Sequence, residues 1–197
     1  MGAGEPELGH RIVVVGITGS GKTTVARELA ATLGLTHIDL DALNWQADWV
    51  GLHEHDPEEL RRRVGDAVRG DAWVVDGNYS VVRDLVWPKA TALVWLDYPL
   101  RVALWRLAKR TLSRVVTKEQ LWKGNTESFR QQFLSRKSLF LWAIKTHRRR
   151  HATYRAAFTQ PEHAHLTVLR HRSPRETRAW IERIASGLRT ADDPSDS

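Results

Sequence analysis

The sequence contains no cysteine and only one methionine among its 197 residues. A chain without thiols cannot build a disulfide framework or a metal site made of thiolates. The apolar stretch Ser138–Ile144 is far shorter than the about 20 residues that a membrane-spanning helix needs. The first ten residues also lack the apolar core of a secretory signal peptide. We therefore expect a cytoplasmic protein that has no membrane partner.

Positive charge is plentiful but unevenly distributed along the chain. The net charge is +7, and residues 101–155 contain fifteen Lys and Arg against two acids, Glu119 and Glu127. This segment carries +13, whereas the rest of the chain carries −6. Two partners would suit it: a nucleic acid, or nucleotide phosphates on which several arginines converge. A solvated helical face is the third interpretation, and all three stay open at this point.

The strongest motif is Gly16-Ile17-Thr18-Gly19-Ser20-Gly21-Lys22-Thr23, which fits the phosphate-binding pattern G-x-x-x-x-G-K-[ST]. The apolar, β-branched run 11–15 precedes it and predicts a buried strand. Residues 24–33 have helical periodicity and are followed by Gly34, a typical helix end. Strand, loop and helix in this order are the context that a true phosphate loop requires.

This loop predicts that the protein binds ATP and Mg²⁺. Its backbone N–H groups and the N-terminus of the following helix form a concave site for phosphate oxygens. We expect Lys22 to reach the β- and γ-phosphates and Thr23 to place its hydroxyl on Mg²⁺. The nucleotide-binding residues are predicted to run from Gly16 through Thr24.

Aspartates end two further predicted strands. Residues 36–41 predict a second strand that ends in Asp39 and Asp41, and residues 72–76 predict a third that ends in Asp76. Ligands of open α/β sheets bind beyond the carboxyl ends of the strands. We therefore predict Mg²⁺ contacts for Asp39 and Asp76 and an acceptor contact for Asp41. The alternative for Asp39 and Asp41 is to cap a turn at the start of the next helix.

The remainder of the chain continues the alternation of strands and helices. Residues 91–97 and 165–169 predict two more strands, and helical patterns cover the segment after Leu100 and residues 138–158. A capping box at Ser173 predicts a last helix. The fold class is therefore α/β, with five parallel strands covered by helices on both faces. The tryptophans assigned to its core are Trp73, Trp95 and Trp105.

Over residues 11–185 the chain resembles the nucleoside-monophosphate-kinase group of P-loop proteins, which includes adenylate-kinase-like and shikimate-kinase-like small kinases. The phosphate loop matches, and Asp76-Gly77 is similar to the Asp-Gly that ends the third strand of adenylate kinases. Asp39-x-Asp41 is closer to shikimate-kinase-like chains. The segments 40–45, 76–79 and 121–125 resemble bacterial adenylate-kinase-related proteins, some of them named topology modulation proteins.

The resemblance implies two insertions, an acceptor-binding segment at about 42–70 and a lid at about 111–137. Arg106 and Arg110, which share one stripe of the predicted helix, correspond to arginines at the lid entry and are expected to close over the triphosphate. The pattern Phe-Pro-Arg that follows Asp-Gly in adenylate kinases is absent here. The residue that grips the acceptor is therefore left open between Arg61 and Arg83.

These observations predict a kinase that transfers the γ-phosphoryl group of ATP to a small-molecule acceptor, with nucleotides among the candidates. The expected catalytic residues are Lys22, Arg106, Arg110 and Asp41. We expect a monomer with one kinase domain at 11–189, a tail at 1–10 and a disordered tail at 190–197. The alternative function is an ATP-binding regulator or nucleic-acid-associated protein that uses the basic segment 101–155.

Overall fold

The computed structural model describes residues 8–117 and 139–191, and its centre is a five-stranded parallel sheet. The strands are β1 (Arg11–Gly16), β2 (Thr36–Asp39), β3 (Trp73–Asp76), β4 (Ala92–Leu96) and β5 (Thr167–His171). Their order is β2-β3-β1-β4-β5, and each neighbouring pair is parallel. The strand that precedes the phosphate loop, β1, therefore lies in the middle of the sheet.

Helices connect these strands and cover the sheet. They are α1 (Lys22–Leu33), α2 (Leu40–Asn44), α3 (Leu52–His55), α4 (Pro57–Ala67), α5 (Arg83–Val86), α6 (Leu100–Thr117), α7 (Leu139–Phe158) and α8 (Pro174–Ala191). Short 3₁₀ turns lie at Ala47–Trp49, Ser80–Val82, Trp87–Lys89 and Pro161–His163. In the ranges 8–117 and 139–191, no helix is both long and apolar enough to cross a bilayer.

Side chains alternate between the two faces of the central strands and so form two hydrophobic cores. On one face, Val13 and Val75 pack in a core that α4, α5 and α7 complete. On the other face, Val14 and Val74 pack in a core with α1 and α8. This arrangement confirms the predicted α/β class, with a parallel sheet covered by helices on both faces.

Capping residues explain where two of the helices begin. Asp56 precedes α4, where its side chain accepts a hydrogen bond from the backbone N–H of Glu59 at 3.1 Å. The hydroxyl of Ser173 accepts from the backbone N–H of Glu176 at 3.2 Å at the start of α8, and the Glu176 carboxylate accepts from the N–H of Arg172. Such side chains satisfy N–H groups that lack partners within a helix.

The structure corrects the end of one predicted strand and describes part of two other predicted segments. The strand predicted for 36–41 ends at Asp39, because the Asp39 side chain caps α2, which places Asp41 within that helix. Helix α6 continues to Thr117, so the first residues of the predicted lid at 111–137 are helical, and its remaining residues lie outside the described ones. Helix α8 includes Thr190, which was predicted to begin a disordered tail. Residues 1–7 and 192–197 of the two predicted tails are also outside the described ranges.

The predicted core tryptophans fall into two groups. Trp73 and Trp95 are buried, as predicted, with exposed fractions of 1% and 3%. Trp105 is 66% exposed, so its assignment to the core was wrong. Among residues 100–110 of α6, the buried ones are Ala103 and Leu107. Trp105 lies midway between them, and this position points to the opposite side of a helix.

Candidate active site

The phosphate loop connects β1 to α1 at the carboxyl edge of the sheet. Gly19 and Gly21 have positive φ values of +82° and +83°, which few other residues adopt. The backbone N–H of Ser20 donates to the carbonyl of Ile17 at 3.1 Å and closes the turn. Gly19 also lies against α6, because a Cβ at this position would collide with the carbonyl oxygen of Ala103. The loop is thus held between α1 and α6.

Arg106 extends from α6 to the phosphate loop. Its Nη1 donates to the carbonyl oxygen of Ser20 at 2.7 Å, and its guanidinium lies 5.5 Å from the ring centroid of Tyr98. The structure thereby brings one predicted lid-entry arginine to the loop that it was expected to serve. Arg110 follows one helical turn later on α6 and is partly buried.

Thr23 and Asp76 meet beside the loop, as their predicted shared role requires. The hydroxyl of Thr23 donates to Oδ2 of Asp76 at 2.6 Å. Asp76 is only 1% exposed, and a carboxylate at such depth needs hydrogen-bond donors. Nε2 of His37, on β2, lies 2.8 Å from Oδ1 of Asp76 and forms the second hydrogen bond of this carboxyl group. Sequence analysis assigned no role to His37, which is 39 positions away from Asp76.

Asp39 lies next to Asp76, because the two residues are paired in the register of β2 and β3. Its Oδ1 accepts hydrogen bonds from the backbone N–H groups of Asp41 and Ala42 at 2.9 and 3.3 Å. Burial raises the pKa of Asp39, and the negative charges of Asp76 and Asp41 raise it further. Asp39 therefore caps α2, which was the alternative to metal binding, while it remains adjacent to the predicted metal ligand Asp76.

The oxygen atoms at this edge of the sheet suit Mg²⁺. Mg²⁺ is usually bound by one or two carboxylates, water and substrate phosphates, and seldom by a cage made of protein alone. Thr23 and Asp76 supply a hydroxyl and a buried carboxylate in contact with each other. Among the described residues, no three His, Cys, Asp or Glu side chains form a metal-binding group. The donor set thus fits an ion that is shared with the phosphates of a nucleotide.

Polar and aromatic side chains surround Asp41 at the carboxyl edge of the sheet. The hydroxyl of Tyr79 donates to Oδ1 of Asp41 at 2.5 Å, and the Tyr79 ring lies 5.1 Å from the ring of His53. The buried Asn44 accepts two hydrogen bonds of 2.9 Å through Oδ1, from the backbone N–H and from Nδ1 of His53. Trp45 packs edge-on against His53 at 5.8 Å. We call Asp41, Asn44, Trp45, His53 and Tyr79 the acceptor cluster.

Gly77 brings the segment after β3 close to α2. Its φ is +114°, and a Cβ at this position would lie 2.8 Å from Cβ of Leu40. A side chain here would therefore push Tyr79 and Asp41 apart.

The two candidate acceptor arginines have different surroundings. Arg61, on α4, donates to both carboxylate oxygens of Asp84 at 2.8 Å. Arg83 donates to Oδ1 of Asn78 at 3.3 Å, and its guanidinium lies 4.8 Å from the ring centroid of Trp87. Of the two, Arg61 already has an acidic partner.

Comparisons with known proteins identify the family of this chain. A family model described as AAA domain matches residues 12–130, which is more than half of the chain. Shikimate kinase 2, chloroplastic, of Oryza sativa subsp. japonica is 35% identical over 115 residues, covering 51% of this chain and 37% of that protein. Cytidylate kinase of Pyrococcus horikoshii is 29% identical over 113 residues, covering 50% of this chain and 56% of that protein. The match thus spans little more than a third of the plant relative and about half of the archaeal one.

A solved structure supports the same fold over almost the whole chain. Shikimate kinase from Acinetobacter baumannii in complex with shikimate superposes with a TM-score of 0.54 at 20% identity. The superposition covers 93% of this chain and 94% of that one. The chain therefore belongs to the AAA domain family and is a P-loop protein with the fold of the nucleoside-monophosphate-kinase group.

Proposed function

We propose that the protein is an ATP- and Mg²⁺-dependent kinase that transfers the γ-phosphoryl group to an oxygen of a small-molecule acceptor. The observation that carries this proposal is the hydrogen bond between Thr23 and the buried Asp76 beside the phosphate loop. A regulator that only binds nucleotide would not need the acceptor cluster next to this pair. The kinase names of the relatives support the same interpretation.

The predicted residues on the nucleotide side have defined roles in this proposal. The loop N–H groups and Lys22 bind the β- and γ-phosphates, while Thr23 and Asp76 hold Mg²⁺, which when bound neutralises charge on the phosphate oxygens. Arg106 and Arg110 complete the nucleotide side from α6. Electrostatic donors that are already oriented act most strongly where negative charge develops.

Asp41 serves the acceptor in this scheme. Transfer forms a bond between the acceptor oxygen and the γ-phosphorus, and it breaks the bond between that phosphorus and the β–γ bridging oxygen. The bridging oxygen keeps the electron pair and leaves with ADP, while the proton of the acceptor oxygen passes to the Asp41 carboxylate. The hydrogen bond from Tyr79 orients this carboxylate.

Measurement of ADP formation tests the proposal. Purified protein is incubated with ATP, Mg²⁺ and one acceptor at a time, chosen from nucleoside monophosphates, nucleosides, sugar acids and small alcohols. We expect one class to stimulate ADP formation and Lys22→Ala to reduce the stimulated rate by about 10³-fold, the upper range for losing one oriented charge contact.

The control for Lys22→Ala is Lys89→Ala, which removes a lysine whose Nζ donates to the carbonyl of Val68 at 3.4 Å. Both variants should keep the circular dichroism spectrum of the wild type, and Lys89→Ala should keep its rate. Full activity in a folded Lys22→Ala protein would contradict the assignment of the phosphate loop.

A further inference from the structure

The three arginines of α4 are neutralised by neighbouring acids. Arg61 donates to both oxygens of Asp84, and these hydrogen bonds lower the pKa of Asp84. Arg62 and Arg63 donate to Glu59 at 2.7–2.9 Å and lower the pKa of Glu59 to about 2. A guanidinium that is bound to a carboxylate in this way has few free donors for a substrate.

Among residues 8–117 and 139–191, Arg83 has no such acidic partner. Its Nη2 donates to the neutral amide of Asn78, and its guanidinium lies over the ring of Trp87. Its Nε is buried and has no hydrogen-bond partner within residues 8–117 and 139–191. A positive charge that is partly removed from water without an anion is unfavourable, so the site favours an anion supplied by a ligand.

The position of Arg83 is held by its surroundings. Asn78 donates through Nδ2 to the hydroxyl of Tyr154 at 3.0 Å, which leaves its amide oxygen directed at Arg83. Tyr154 lies on α7 and is 1% exposed. The contacts with Asn78 and Trp87 therefore orient the guanidinium before a ligand binds, which reduces the entropy that binding would lose.

Arg83 lines a pocket that adjoins the acceptor cluster. The polar lining of this pocket comes from Asn78, Tyr79 and Arg83, together with the backbone of Gly77. The apolar lining consists of Val13, Leu40, Val75, Val82, Val86 and Trp87. Tyr79 belongs both to this pocket and to the hydrogen bond with Asp41. Arg83 is the one cationic side chain among these lining residues.

We propose that Arg83 binds an anionic group of the acceptor, which is a carboxylate or a phosphate ester. Paired N–H donors of a guanidinium match the oxygens of either anion. The inference rests on the proposed function only for the role of Asp41, which contacts the oxygen that receives the phosphoryl group. Arg61 is excluded from the anion-binding role because Asp84 occupies its donors.

Anion binding is measured directly by titration of tryptophan fluorescence with inorganic phosphate and, separately, with acetate. The protein is first saturated with Mg²⁺ and a non-hydrolysable ATP analogue, so that the phosphate loop is already filled. We expect Arg83→Met to weaken binding of the preferred anion by at least about tenfold, the scale of one hydrogen bond to a charged group. The anion that binds more tightly distinguishes a phosphate ester from a carboxylate.

Arg61→Met is the matched control, since it removes a guanidinium that faces Asp84, and it should bind the anion as the wild type does. Arg83→Lys should lie between the wild type and Arg83→Met, because it keeps the charge and loses the paired donors. Equal anion affinity in Arg83→Met and the wild type would overturn the inference.

A second measurement does not depend on the fraction of folded protein. In each variant, kcat/KM is measured for an anionic acceptor and for its neutral counterpart, and the ratio of the two values is compared. The acceptor pairs are a nucleoside monophosphate with its nucleoside, and a sugar acid with its sugar alcohol. We expect Arg83→Met to lower this ratio by at least about tenfold, and an unchanged ratio would overturn the inference.

The two proposals fail in different ways. If anion binding depends on Arg83 but no acceptor stimulates ADP formation, the anion site stands and the proposed function is wrong. If ADP forms equally from anionic and neutral acceptors and is indifferent to Arg83, the proposed function stands and the anion site is wrong.

Discussion

The nucleotide side and the acceptor side of the proposed active site are built from different parts of the polypeptide. On the nucleotide side, the surface proposed to bind phosphates is the backbone of the loop 16–23 and the first turn of α1, which are contiguous in sequence. On the acceptor side, the side chains come from α2, α3 and the segment 77–83 after β3. Only the tertiary fold brings these three segments together.

The two sides of the site should respond differently to substitutions of single residues. A cradle made of backbone N–H groups depends on glycine positions and on a helix N-terminus, so ATP binding follows the sequence motif closely. Recognition by side chains from separate segments can change by substitution at single positions while the sheet remains intact. The kinase relatives, named for shikimate and for cytidylate, illustrate such a change of acceptor on related chains.

The largest difference between the two sides should appear at Arg110. We expect Arg110→Lys to lower kcat and kcat/KM by about 10²-fold with a much smaller change in ATP affinity, because lysine replaces two aligned donors with one point charge. Steady-state kinetics at saturating ATP measure this effect.

Two other arginines of α6 sharpen the Arg110 experiment. Arg106→Ala should weaken ATP binding more than it lowers kcat, since Arg106 holds the loop through the carbonyl of Ser20. Arg101→Lys, at an exposed position near the start of α6, is the control and should behave as the wild type. A wild-type kcat in Arg110→Lys would remove Arg110 from the active site.

On the acceptor side, Asp41→Asn and Tyr79→Phe should lower kcat/KM for the acceptor by about 10–100-fold, the range for a hydrogen bond to a charged group. ATP affinity, measured by calorimetry, should barely change. The double variant should lose less than the product of the single losses, because the two side chains share one hydrogen bond. Equal losses of acceptor and ATP affinity would instead place Asp41 on the nucleotide side.

Substitution of His37 tests whether the nucleotide side also depends on contacts between residues that are distant in sequence. We expect His37→Ala to raise the Mg²⁺ concentration needed for half-maximal ATP binding by about tenfold, since residues that orient a metal ligand typically have effects of this size. ATP binding without Mg²⁺ should be unchanged, and His37→Gln should partly restore the Mg²⁺ response by donating to Asp76. Calorimetric titrations with and without Mg²⁺ measure both quantities, and an identical Mg²⁺ requirement in His37→Ala would show that the contact is only structural.

The smallest expected effect is a change in Tm at Asp39, which lies between the nucleotide side and the acceptor side. The pKa of Asp39 is raised by burial and by the charges of Asp76 and Asp41, so the folded protein disfavours its charged form. The resulting loss of folding stability is fully present above the raised pKa of Asp39, and it is absent below the ordinary pKa of 3.8. Asparagine caps α2 equally well and does not titrate. Asp39→Asn should therefore raise the Tm of the ligand-free protein by about 2 °C at pH 7, with no gain near pH 3.

Thermal unfolding across this pH range measures the Asp39 effect. Asp56→Asn replaces the cap of α4 and serves as the control, because Asp56 is exposed whereas Asp39 is partly buried. A lower Tm for Asp39→Asn at pH 7 with no loss near pH 3 would mean instead that the charge of Asp39 stabilises the folded protein. We also expect Asp39→Asn to reduce turnover if Asp39 contributes to Mg²⁺ binding.

Local patterns allowed much of the fold to be predicted. The predicted strand 11–15 covers all of β1 except Gly16, and the predicted strand 91–97 contains β4. The glycine spacing of residues 16–23 indicated the loop between β1 and α1. Ser173 and Glu176 cap α8 as the capping box predicted. In these cases the determining interactions lie within a few residues of each other, so the sequence contains the whole pattern.

The tertiary structure decided the partners of individual side chains. His37 reaches Asp76 because β2 and β3 are neighbours in the sheet, and Tyr79 reaches Asp41 because Gly77 allows the segment after β3 to approach Leu40. Helix α2 begins where Asp39 caps it, although the same residues also fit the end of a strand. By itself, the sequence determined a P-loop fold and its phosphate-binding loop, since both depend on short-range patterns. The acceptor side was decided by strand order, register and close packing, which join residues that are tens of positions apart.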